Sequence, residues 1–389
     1  GRALLRASYA KVPEDLGLGY TRILDPVSLD RVHQFYWYDE NGDGKVDAND
    51  IYRALPDNYA IYSPSYILRL APGLHAPAMD EWTAGLDYEL ARDYALAVRY
   101  VSRSQKWGIG NVMYDPASNR PWYTADGSPS GWWVPFHTTV PASPAYPATD
   151  VTVYFRSTSA PLPFDRLQAV PELSSKYRGL ELSFRKRMSH NWQLFGSVVW
   201  SRATGASGLV WPLRAGLTTP VLTPNSFVNV PPSSLSDLDR PLAIRVMGTV
   251  RFKYDFYLSA SYRFMSGSPW ARTVTITPPA EWALEHGADA TPVTVYLERP
   301  GTRRHGSLQS TDLRLEKEFR RGGRARWTFY LDVLNLFGDK YQVVDYNDGL
   351  WRPDAEGVSP GTHQLSGTYG QAVFLSGART FLMSVKLGF

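Results

Sequence analysis

Alternation of apolar and polar residues over long runs constrains this chain more than any other feature. Trp82, Ala84, Leu86, Tyr88 and Leu90 alternate with Thr83, Gly85, Asp87 and Glu89. After a short turn at Ala91-Arg92-Asp93, Tyr94, Leu96, Val98 and Tyr100 alternate with Ala95, Ala97, Arg99 and Val101. A period of two is a strand with one greasy and one wet face. Strands of ordinary globular proteins average about 5–6 residues, whereas runs of about ten to thirteen match a tilted bilayer crossing.

The device repeats along the chain. Leu180, Leu182 and Phe184 lead to a tight turn at Ser189-His190-Asn191, and Trp192, Leu194, Val198 and Trp200 return. Leu242, Ile244, Val246, Val250 and Phe252 turn at Asp255, and Phe256, Leu258, Ala260, Tyr262 and Phe264 return. Leu313, Leu315 and Phe319 turn at Arg321-Gly322-Gly323, and Trp327, Phe329, Leu331 and Val333 return. Leu5, Ala7 and Tyr9 mark a first strand, and Phe381, Met383, Val385, Leu387 and Phe389 mark a last one.

The pattern predicts an all-β fold: an antiparallel transmembrane β-barrel portion spanning 1–389, with about ten strands. Tight turns fall within 81–103, 177–202, 241–266 and 308–337, and long loops occupy 12–80, 104–176, 203–240, 267–307 and 338–378. Outer-membrane barrels keep short turns on the periplasmic side and long loops outside the cell. The expected location is therefore the bacterial outer membrane, with Phe389 in the periplasm and 12–80 an extracellular insertion. Val151, Val153 and Phe155 read as a further strand within the second loop.

Composition narrows the classes. No apolar run is long enough for a membrane helix. The 24 Tyr, 16 Phe and 13 Trp suit the aromatic girdles of a barrel. A net charge of +4 does not argue for nucleic acid, and the absence of Cys excludes disulfides and thiolate metal sites. The sequence starts at Gly1 without initiator Met or signal peptide, which reads as a mature chain, a processed piece or a fragment.

One motif carries metal chemistry. Residues 39–50, D-E-N-G-D-G-K-V-D-A-N-D, match the calcium loop D-x-[DN]-x-[DN]-G. Asp39, Asn41 and Asp43 would supply side-chain oxygens, Gly44 the sharp turn, Lys45 its carbonyl, Asp47 a direct or water-mediated contact, and Asp50 the closing carboxylate. The expected cofactor is one structural Ca²⁺ that pins the loop 12–80.

The wet faces carry Arg99, Arg103, Arg185, Arg187, Arg245, Arg251, Lys253, Arg314 and Lys386. Beside them stand Asp87, Glu89, Glu181, Asp312, Glu316, Glu318 and Asp332. This is a solvated lumen wall or a lining that contacts a plug or ligand. Arg178 shares the parity of Leu180 and belongs at the membrane rim. Trp122, Tyr123, Trp132 and Trp133 either stack on sugars or peptides or pack a loop. The seven His are scattered, and neither G-x-S-x-G nor a phosphate-binding glycine loop is present, so an enzyme is the weakest class.

The stretch L-H-A-P-A-M-D-E-W-T-A-G-L-D-Y-E-L (74–90) with A-V-R-Y-V-S-R (97–103) resembles the barrel of TonB-dependent outer-membrane receptors. The Oar-like group is the nearest match. Y-R-G-L-E-L-S-F-R-K-R-M-S-H-N-W-Q-L-F-G-S-V-V-W-S (177–201) resembles that family's hairpin. D-L-R-L-E-K-E-F (312–319), L-D-V-L-N-L-F (331–337) and the terminal Phe389 resemble its closing strands. The resemblance implies the C-terminal half of a plugged barrel of about twenty-two strands. An open half-barrel leaves edge N–H and C=O groups unpaired in hydrocarbon. The missing wall and plug are therefore expected from an N-terminal portion or a partner chain, with TonB coupling only if a plug lies upstream. The functional expectation is uptake or binding of a bulky ligand. The alternative is a structural or adhesive barrel that displays calcium-stiffened loops, alone or as a subunit of a larger assembly.

Overall fold

The computed structural model describes residues 2–13, 32–35, 42–44, 59–62, 68–123, 130–142, 146–161, 163–205, 221–231, 233–321, 325–345, 347–353 and 362–388. Ten strands form one antiparallel sheet. They are β1 (Ala3–Pro13), β2 (Ala78–Ala91), β3 (Tyr94–Gln105), β4 (Ser175–Ser189) and β5 (Trp192–Gly205). Then follow β6 (Leu242–Phe252), β7 (Phe256–Met265), β8 (Leu308–Arg321), β9 (Ala325–Leu334) and β10 (Thr380–Gly388). Their order in space is their order in sequence, and among the described residues β1 and β10 each bond a single neighbour.

Short turns join β2–β3, β4–β5 and β6–β7, as the alternation predicts. His190 (φ 51°) with Asn191 (φ 64°), and Tyr254 (φ 62°) with Asp255 (φ 54°), hold the left-handed pairs of twist-matched hairpin turns. The predicted turn at Gly322-Gly323 and the terminal Phe389 lie outside the described residues.

Register aligns the apolar residues across strands. One row runs Leu5, Leu86, Val98, Leu182, Val198, Ile244 and Phe264 from β1 to β7. A lower row runs Trp192, Val250, Leu258, Leu315, Leu331 and Met383 from β5 to β10. This face is uncovered: Leu5 is 80% and Met383 84% exposed. Among the described residues, every buried hydrophobic side chain lies in the long connections, and none lies in the ten strands.

The described parts of those connections form further sheets. Thr149–Arg156 holds the predicted Val151-Val153-Phe155 strand, but it pairs with Trp133–Val140 outside the main sheet. Thr273–Ile276 bonds Val293–Tyr296 on one side and, in parallel, Asn347–Arg352 on the other. Phe136, Val153, Phe155, Val274, Ile276, Val295 and Trp351 share one core. A second sheet orders Val221–Leu222, Gly108–Tyr114, Phe164–Val170 and Leu68–Leu70, around Val112, Tyr114, Tyr123, Phe164 and Leu222. The Trp351 indole donates to Thr138 Oγ1 at 2.8 Å, and the Asn225 side chain bonds both backbone polar groups of Tyr154. The five long connections thus contribute to a folded cap at the end of the sheet opposite the short turns.

Candidate functional site

The polar face of the sheet is a wall of cross-strand ion pairs. Asp87 faces Arg6 Nε at 3.0 Å and Arg99 Nη2 at 3.9 Å. Arg314 grips Asp332 with both arms of its guanidinium, at 2.6 and 2.8 Å, and Arg263 reaches Asp312 at 3.5 Å. Arg326 pairs with the buried Glu318, and Arg103 with Glu81 at 2.5 Å. The more exposed of these pairs, such as Arg6 with Asp87, are worth about 0–1 kcal/mol each. The sequence marked most acids and cations of this face. It missed Glu81, Arg263 and Arg326, whose parity would have placed them there.

Two shallow hollows open on this face. One, of about 710 Å³, is lined by Arg185, Phe195, Met247, Ser261, Asp312 and Arg314 among others. The second, of about 620 Å³, includes Arg6, Asp87, Glu89, Arg99 and Ser183. Arg245 sits directly opposite Arg263, which leans to Asp312, and makes no ion pair with any described residue. Tyr177 lies flat across Gly179, where a Cβ would meet its hydroxyl at 2.6 Å, and Arg103 covers the ring. Lys253 falls in the β6–β7 turn, and Arg187 follows a register shift after Lys186.

The apolar face carries two lysines near the short turns. The Lys186 ammonium donates to the carbonyls of Arg187 (3.1 Å), Ser189 (2.9 Å) and Trp192 (3.0 Å) and to Ser189 Oγ (2.8 Å). The Trp192 ring covers it at 4.2 Å, and the residue is 1% exposed. Lys317 lies between the rings of Phe256 and Phe319 and donates to the Tyr254 carbonyl. Arg178 shares its cross-strand row with Trp82 and Tyr9 on the apolar face at the other end, as its parity predicts.

In the cap, Trp122 and Tyr123 are buried and belong to its packing rather than to a stacking surface. Burial raises the Tyr123 phenol well above its usual range. Asp165 is buried beside Asn111, whose amide donates to it at 2.9 Å. Burial pushes its carboxyl up, and the Asn111 bond offsets only part of this. Of the calcium motif, only Gly42, Asp43 and Gly44 fall within the described residues. Asp39, Asn41, Lys45, Asp47 and Asp50 lie outside them. Gly42 (φ 69°) and Gly44 (φ 71°) are both left-handed, and Gly44 occupies the position where such a loop turns sharply. Among the described residues no group of three or more His, Asp or Glu is placed to hold a metal ion.

No protein-family model and no curated protein matches the chain. Solved structures do. The outer membrane transporter YddB from Escherichia coli is similar over 81% of this chain and 33% of its own, at 14% identity and a TM-score of 0.42. The copper transporter OprC is similar over 100% of this chain and 37% of its own, at 12% identity and 0.41. The FrpB iron transporter from Neisseria meningitidis is similar over 83% and 33%, at 11% and 0.38. The chain spans about a third of the length of each.

Proposed function

We propose that this sheet is part of the wall of an outer-membrane barrel of the TonB-dependent receptor and transporter class. One observation carries the reading: the burial pattern is inverted. The ten-stranded sheet exposes its apolar face from Leu5 to Met383, while the buried hydrophobic side chains sit in the cap. In water such a face would aggregate. In a bilayer it is the matching surface. On β4, Arg178 and Lys186 flank Leu180, Leu182 and Phe184, eight positions apart. That is about 26 Å along the strand, or about 20 Å of height at a tilt near 40°. The polar face lines the lumen. The short turns face the periplasm, together with the end of β10, and the cap stands outside the cell, where its loops bind or admit a bulky ligand.

The edges of β1 and β10 need partners in hydrocarbon. The remaining wall and a plug, supplied by the same polypeptide or by a second chain, would pair them. TonB-type energy coupling follows only where a plug is present. The intact mass of the native protein from outer membranes tests this. A polypeptide much longer than 389 residues, or a tightly held second chain, is expected. A lone 389-residue chain closing by itself contradicts the larger barrel.

The loop 39–50 is proposed to bind one structural Ca²⁺ through Asp39, Asn41, Asp43, the Lys45 carbonyl, Asp47 and Asp50. Its spacing and the left-handed Gly42 and Gly44 support this. Chelation should expose 12–80 to protease, and restored calcium should protect it; cleavage indifferent to calcium sinks the site. The two cores of the cap favour a second reading, a display or adhesion barrel. Ligand uptake by intact cells that disappears without the protein separates transport from display.

A further inference from the structure

The two rims of the apolar face treat their cations differently, and resting on the barrel reading above, we infer that the cap-side rim of β4 and β5 is a binding site for a phosphate-bearing lipid of the outer leaflet. At the short-turn rim, Lys186 and Lys317 are satisfied internally by backbone carbonyls and rings. At the opposite rim, Lys176, Arg178 and Arg202 stand exposed on the same apolar face and make no ion pair with any described residue. Arg178 and Arg202 are direct cross-strand partners. Like charges in that position repel. Lys176 stands one step further along the face, opposite Thr204.

Among the described residues, the neighbours of these cations offer them no ion pair. The cross-strand partners of Arg178 and Lys176 on β3 are Ser102 and Ser104, two hydroxyls. Asp80 shares the Lys176 row but lies two strands away, about 10 Å, and accepts the Tyr9 hydroxyl at 2.7 Å. Asp239, on the segment beside β5, accepts the Ala203 amide at 2.6 Å and holds Arg304. Directly below the cations, Tyr100, Leu180 and Trp200 form an exposed apolar row. A headgroup phosphate on the two guanidiniums, with its acyl chains on that row, satisfies both halves at once. Guanidinium forks match phosphate oxygens bidentately. A soluble anion would use the cations and leave the row bare.

Native mass spectrometry of the full-length protein in neutral detergent tests this, with phosphatidic acid and phosphatidylcholine of matched chains as probes. Wild type should retain phosphatidic acid in preference to phosphatidylcholine. Arg178→Gln with Arg202→Gln should lower that retention by about tenfold, the scale of losing charge-assisted contacts. Arg245→Gln, on the lumen face, should leave it unchanged. Equal retention of both lipids, or by wild type and the double variant with unaltered heat-modifiable migration, overturns the site alone. Inorganic phosphate that binds at the site as tightly as the lipid also overturns it. A protein that does not fractionate with outer membranes overturns the barrel reading instead.

Discussion

Lys186 shows how a single side chain is read through its parity. It stands at an apolar-face position among Leu182, Phe184 and Leu194, where a charge is costly unless its donors are met. Four oxygens meet them, so the residue fastens the β4–β5 turn. Lys186→Met should leave three carbonyls short of a partner and lower the stability of the folded barrel by about 2–4 kcal/mol, read as a lower heat-modification temperature. An unchanged temperature contradicts that role. Asp165 offers a pH test in the cap. Its folded carboxyl is held above the unfolded value, so its contribution favours folding at low pH and is lost as pH rises through the raised value. Asp165→Asn should therefore stabilise the cap at pH 7, by about 1 kcal/mol, through an amide that can also donate to the unpartnered Asn111 Oδ1. The gain should fade as the pH falls through that raised value and be gone by about pH 4, where the unfolded carboxylate titrates. Tryptophan fluorescence during thermal melts reports it; a gain that persists at pH 3 contradicts the assignment.

At the scale of elements, the wall strands were legible in the sequence, and of the cap only the Val151-Val153-Phe155 strand was. Strands such as β4 repeat their period over fifteen residues, and local alternation suffices to find them. Cap strands run from two to eight residues, and their partners are remote. Thr273–Ile276 pairs in parallel with Asn347–Arg352, a contact that no local pattern announces. Buried Trp351 is the hinge between those segments and the Phe136–Phe155 hairpin. Trp351→Ala should cost the cap about 3–5 kcal/mol. Limited proteolysis should then cut within 267–307 and 338–378 while the strands of the ten-stranded sheet stay intact. Resistance equal to wild type would mean that the connections fold independently of one another. The calcium motif is the reverse case, legible as spacing alone and almost wholly outside the described residues.

For the whole molecule, two kinds of interior divide the chain. The described part of the cap has its own cores, and the sheet has a surface where a core would be. The same Leu, Val and Phe content that closes the cap lies open on β1 to β10, and the proposed hydrocarbon surrounding would make both stable. These 389 residues contain no Cys, so a single-Cys variant places one spin label at a chosen position among them. The decisive measurement is accessibility of labels at Leu182, Ser183, Val246, Met247, Met383 and Ser384 in the native protein in bilayers. Labels at 182, 246 and 383 should meet dissolved oxygen in preference to a water-soluble nickel chelate, and their neighbours on the polar face should not show that bias. Equal chelate access on both faces would mean that the sheet does not cross a membrane.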